Sequence, residues 1–236
     1  MRAYLTARLL LAPLLVGQIA VTRKRVRVLP EATGPRQGRA GDGPLLRLLM
    51  IGDSSAAGVG AGTQDRALLG QVVRGLQDSY TVDFTLIAQS GARTKDARGW
   101  LRRHAGQYDV AVTALGINDV TKATTLPRFL DEQTRLWADL RQNHAVRHMM
   151  VSGMPPIGQF PALPQPLRWV AGERAAIFDR ALRSMVAQHD DCEIIGFSPS
   201  LRPEDMSADG YHPGPDVYAA WGKTVAAQIR RRLADA

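Results

Sequence analysis

Residues 45–52 form an apolar run, LLRLLMIG, which ends in Gly52-Asp53-Ser54-Ser55 and is followed by glycines at 58, 60 and 62. Such a stretch can cradle a phosphate, present a nucleophile, or simply join a strand to a helix. A Walker loop needs G-x-x-x-x-G-K-[ST], and no lysine occurs between the run and Lys95. The dinucleotide fingerprint needs G-x-G-x-x-G, whereas the glycines here are spaced G-x-G-x-G. A nucleophilic serine needs a base within hydrogen-bonding reach and a third group to orient that base. Asp209-Gly210-Tyr211-His212 supplies both, because a short turn can fold the carboxylate onto one imidazole nitrogen while the other faces Ser54. The developing oxyanion needs donors. The Ser54 N–H, the approachable N–H of Gly91 and the side-chain amide of Asn118 are the candidates. Ser55 is expected to point off the reaction axis, and Asp53 and Asp119 to bond local backbone N–H groups. The glycines after Ser54 are expected to let a substrate carbonyl approach the backbone.

Other chemistries are poorly supplied. His144 and His148 are four apart, but the chain between them leaves a helix and enters a strand, so surface or strand-edge positions are expected. His104 and His189 close helices, where a partly charged imidazole suits the dipole. With a single cysteine, Cys192, neither a thiolate metal site nor a disulfide framework is available. No metal or cofactor is expected.

The elements that must position these residues alternate. Apolar, β-branched runs near 45–52, 81–90, 108–116, 147–155 and 191–199 read as strands. Helical periodicity fills the intervals, with Pro127 opening one helix and the last running from about 215 to 233. This pattern implies βαβ units, hence a three-layer α/β/α domain around a parallel sheet of about five strands. Ligands gather beyond the carboxyl ends of such strands. Ser54, Gly91 and Asn118 each stand just there. The G-x-S-x-G elbow is a near miss, because Ala56 occupies its last place and that elbow follows several strands, not the first.

The net charge of +8 resides mainly in residues 1–43, where eight basic residues oppose two acidic ones. The remaining 193 residues carry only +2, so no nucleic-acid groove is implied. Residues 9–21 are apolar, interrupted by Pro13 and Gln18, and are followed by TRKRVR. Residues 1–30 are expected to associate with a membrane surface, on the cytoplasmic face. A cleaved export signal and a helix packed on the body remain as alternatives. The Gly/Pro-rich stretch that follows reads as a linker, which divides the chain into residues 1–44 and a domain at 45–236.

At this point the sequence resembles the GDSL or SGNH hydrolases. IGDSSAAGVGAG is similar to their first block, QSGART to the second, LGINDV to the third and DGYHPG to the last. The likeness runs from residue 45 to about 232, and the opening reads GDSS in place of GDSL. It implies a flavodoxin-like domain that hydrolyses esters or thioesters without cofactor. In that scheme Ser54, His212 and Asp209 are catalytic, and Ser54, Gly91 and Asn118 form the oxyanion hole. The expected partner is a small-molecule ester with a short acyl or lipid-like group. An acetylated carbohydrate, or binding without turnover, are the alternatives. Residues 153–169 form the longest irregular segment and are expected to wall the acyl pocket with Ile157, Phe160, Leu163 and Trp169.

Overall fold

A computed structural model describes residues 10–196 and 202–234. Six strands form one sheet: β1 (Gln37–Ala40), β2 (Leu45–Gly52), β3 (Thr81–Ala88), β4 (Val110–Ala114), β5 (His148–Ser152) and β6 (Cys192–Ile195). Their order is β1-β3-β2-β4-β5-β6, and all pairs are parallel except β1 with β3. Without β1 the order is the flavodoxin-like 2-1-3-4-5. The helices are α1 (Ala12–Arg25), α2 (Leu68–Leu76), α3 (Thr94–Leu101), α4 (Ile117–Thr121), α5 (Leu126–His144), α6 (Leu167–Val186) and α7 (Pro215–Ala234).

Side chains alternate across a strand, and both faces of this sheet are buried. Leu49, Ile51, Ala111, Met149 and Val151 pack beneath α3, α5 and α6. Leu48, Met50, Val110, Val112 and Met150 pack beneath α2 and α7. The continuous apolar run of residues 45–52 reflects this two-sided burial. Three layers result, as expected.

The sixth strand lies where a linker was expected. Val82–Thr85 of β3 carries β1 antiparallel on its outer edge. Upstream of it, Ala32 and Thr33 donate to Ala57 and Gly62, each at 3.0 Å, and Arg36 donates to the Ala88 carbonyl at 2.8 Å. The folded body therefore begins near Glu31, and the boundary at residue 45 is corrected. Gly and Pro here serve a strand edge, where one side of the backbone needs no partner in the sheet.

Helix α1 also touches the body. Leu15 is buried in the core beside α6, and Gln18 bonds the Gln165 carbonyl at 2.7 Å and the Leu167 N–H at 3.1 Å. Among the described residues no helix is long and apolar enough to cross a membrane.

Candidate active site

Three strand ends and one late loop converge. After β2 the chain turns through residues 53–61, with Val59 N–H donating to the Ser54 carbonyl at 2.9 Å. Two residues of this turn meet α7 and the loop that precedes it. The Tyr218 hydroxyl donates to the Val59 carbonyl at 2.7 Å, and Gly60 abuts Ser207 and Pro213 so closely that a Cβ would lie 2.8 Å from the Pro213 carbonyl oxygen. Gly58 similarly faces Ala32 and Ala67. These glycines thus admit neighbouring protein rather than a substrate carbonyl, which corrects the expectation above.

Their close approach brings His212 to Ser54. His212 Nε2 is 2.8 Å from Ser54 Oγ, and His212 Nδ1 is 2.6 Å from Asp209 Oδ2. The other carboxylate oxygen of Asp209 accepts from the N–H groups of Tyr211 and His212 at 2.9 and 3.0 Å. Burial pushes the Asp209 carboxyl up, but the bonds from His212 and Tyr211 outweigh it and hold the group below the ordinary carboxylate range. The carboxylate is therefore charged where an imidazolium would form.

Gly91 follows β3 with φ +78°, a conformation in which a side chain is strained. Its carbonyl accepts from Lys122 Nζ at 2.5 Å, and the adjacent Ser90 N–H donates to Glu31 at 2.6 Å. Among the described residues, neither the Ser54 nor the Gly91 N–H has an acceptor within the chain. Asn118, on α4 beyond β4, donates from Nδ2 to Asp53 Oδ2 at 3.2 Å. An amide nitrogen carries two hydrogens, so the second stays available.

Asp53 holds local backbone in place, as expected, whereas the Asp119 carboxylate bonds a residue 25 positions away. Asp53 accepts from the Ser55 N–H at 3.0 Å as well as from Asn118. Burial pushes its carboxyl up to about 6. Asp119 accepts from both the N–H and the hydroxyl of Thr94 at 3.0 Å, which ties α3 to the Asn118 helix. Its carboxyl is likewise raised by burial.

A cavity of about 40 Å³ opens beside Ser54 and His212, lined among others by Ala114, Leu115, Phe160, Trp221 and Ser152. Of the four residues expected to wall it, only Phe160 does, its ring 5.2 Å from that of Tyr211. Ile157 and Leu163 are buried in the core, and Trp169 is 41% exposed. A 3₁₀ turn at Ile157–Gln159 packs Ile157 inward and sets Gly158 against Gly172 of α6, so the segment mostly covers the body. Sequence reasoning missed Ser152, which simply ends a strand, and Glu31, which carries no motif. His144, expected near the surface, is buried, with Nδ1 2.9 Å from the Gly106 carbonyl.

Residues 50–220 match the GDSL-like Lipase/Acylhydrolase family. GDSL-like esterase Rv1075c of Mycobacterium tuberculosis is 31% identical over 242 residues, spanning 92% of this chain and 74% of the relative. The lipase Lip_vut3 from goat rumen metagenome superposes with a TM-score of 0.60 at 17% identity, covering 77% of this chain and 96% of that one. A carbohydrate acetylesterase family member from Sinorhizobium meliloti gives 0.60 at 18% identity, covering 80% and 99%. At such identities the structural likeness is one of fold.

Proposed function

The chain belongs to the GDSL-like lipase/acylhydrolase family, and from that premise we propose that it cleaves carboxylic esters through an acyl-enzyme on Ser54. The carrying observation is the unbroken line Asp209–His212–Ser54, at 2.6 and 2.8 Å, with a Ser54 N–H that has no acceptor among the described residues. Ser54 Oγ attacks the ester carbonyl as His212 Nε2 takes its proton. Asp209 fixes the imidazole tautomer and stabilises the imidazolium. The Ser54 and Gly91 N–H groups and the Asn118 amide receive the oxyanion. His212 then protonates the departing alkoxide, and water, deprotonated by the same nitrogen, releases the acid. Labelling with a fluorophosphonate and mass mapping tests the scheme. A label on any residue but Ser54 overturns it, and no label at all favours the non-catalytic binding module.

The cavity supports a short acyl group. Its 40 Å³ compares with the roughly 150 Å³ of a pocket that takes benzene. Acetyl esters, including those of carbohydrates, fit this size.

Asn118→Ala is expected to lower kcat by about 10²–10³ with little change in KM, the usual loss for one oxyanion donor. A change confined to KM would instead make Asn118 a substrate-binding residue.

For residues 10–28 the favoured partner is an anionic membrane surface. Leu14, Val16, Ile19 and Val21 of α1 are exposed, as is Leu10 just before it, and Arg23, Lys24, Arg25 and Arg27 follow. Basic residues near such a surface contribute about 1 kcal/mol each, screened by salt. The full chain should pellet with phosphatidylglycerol vesicles and be released by high salt, whereas a chain starting at Leu29 should remain in solution and keep its activity on a soluble ester. Equal pelleting of both chains would refute the assignment. A mature protein starting near Val21 outside the cytoplasm would make the segment an export signal.

A further inference from the structure

One group in the cavity has no part in the scheme above. Ser152 ends β5, is 2% exposed, and its Oγ has no hydrogen-bond partner among the described residues. It lines the same cavity as Ser54 and His212. Asp53 there is engaged with Ser55 and Asn118, and Ser54 with His212. Around them the lining is largely apolar, with Ala114, Leu115, Phe160 and Met206. A buried hydroxyl with no partner destabilises the fold, and a methyl group would fill such a lining at no such cost.

We propose that Ser152 is a specificity residue that hydrogen-bonds an oxygen on the third carbon of a short acyl group, so that short 3-hydroxyacyl esters are the preferred substrates. This rests on Ser54 being the nucleophile. The sheet sets the reach. Gly52 pairs with Ala114 and Thr113 with Val151, so Ser152 stands level with the end of β2, two strands away. Two strand spacings are roughly 10 Å. An acyl chain carrying its oxygen on the third carbon extends roughly 4 Å beyond the carbonyl carbon, and a hydrogen bond adds about 2.8 Å. The two serine side chains supply the remainder. The covalent step is unchanged: the bond from Ser54 to the acyl carbon forms, the bond to the alcohol breaks, and His212 carries the proton.

Sites built to hydrogen-bond a substrate oxygen discriminate against the analogue that lacks it. The test compares p-nitrophenyl 3-hydroxypropionate with p-nitrophenyl butyrate, which differ only by hydroxyl against methyl at one position. The wild-type protein should favour the hydroxy ester by about 10–100-fold in kcat/KM, the size of one buried hydrogen bond. Ser152→Ala should lower that ratio at least about tenfold. Taking the ratio between proteins cancels the intrinsic reactivity of the two esters. An unchanged ratio overturns the proposal, because a packing or water-holding role would move both rates together. If neither ester is cleaved and Ser54 takes no fluorophosphonate in the wild-type protein, the ester-cleavage reading itself fails, and the proposal falls with it.

Discussion

Ser54→Ala is expected to remove ester turnover by about 10⁶-fold, the scale seen when a serine nucleophile is deleted from an intact triad. The residual rate would come from the oxyanion donors alone. Ser55→Ala should stay within a few-fold of the wild-type protein, because the bond that shapes the turn is made by the Ser55 backbone N–H, not its hydroxyl. Initial rates on p-nitrophenyl acetate, with intact-mass measurement after fluorophosphonate treatment, decide between them. Loss of label in Ser55→Ala, or its persistence in Ser54→Ala, would reassign the nucleophile. Thermal stability should scarcely move in either variant, since each loses at most about one net hydrogen bond.

Asp209→Asn should lower kcat by about 10⁴-fold while leaving the fold intact. The Asp209 side chain is 1% exposed, and its two oxygens divide their work. One holds the N–H groups of Tyr211 and His212, which an asparagine carbonyl can still accept. The other faces His212 Nδ1, where asparagine presents an NH₂ instead. Nδ1 must then accept, which leaves the proton on Nε2 and nothing to receive the serine proton. Because the backbone bonds survive, the melting temperature should shift by a few degrees at most, and KM should change little. A large drop in stability with kcat per folded molecule preserved would make Asp209 a purely structural residue.

The residues that meet at the site were legible because each follows a strand that the apolar pattern marks clearly. Residues 45–52, apart from Arg47, and 110–114, apart from Thr113, are apolar because both faces of the sheet are covered. Helix α5 was legible to its ends, from Pro127 at the start to His144. Gln37–Ala40 was not, because QGRA has no apolar alternation and becomes a strand only through pairing with β3. The contact of α1 with the body likewise depends on one buried leucine and one glutamine, which leave no periodic trace. The inward or outward sense of residues 153–169 depends on a 3₁₀ turn and packing against α6, so apolar type alone could not separate Phe160 from Trp169. Ser152 was invisible for a related reason. Strand-ending serines are common, and only the missing partner distinguishes this one.

The hydrogen bond between Ser54 and His212 joins positions 158 apart in sequence. The nucleophile is made in the first quarter of the chain, while its base is delivered by the loop before the final helix. That loop is seated when α7 packs on α2, where Gly222 abuts Gln71 and Gly75 abuts Ala226. As the chain emerges from a ribosome, all six strands, the last ending at Ile195, can therefore pair while the serine remains an ordinary alcohol. Reactivity arrives only with the last helix, so a half-made chain cannot attack the esters around it.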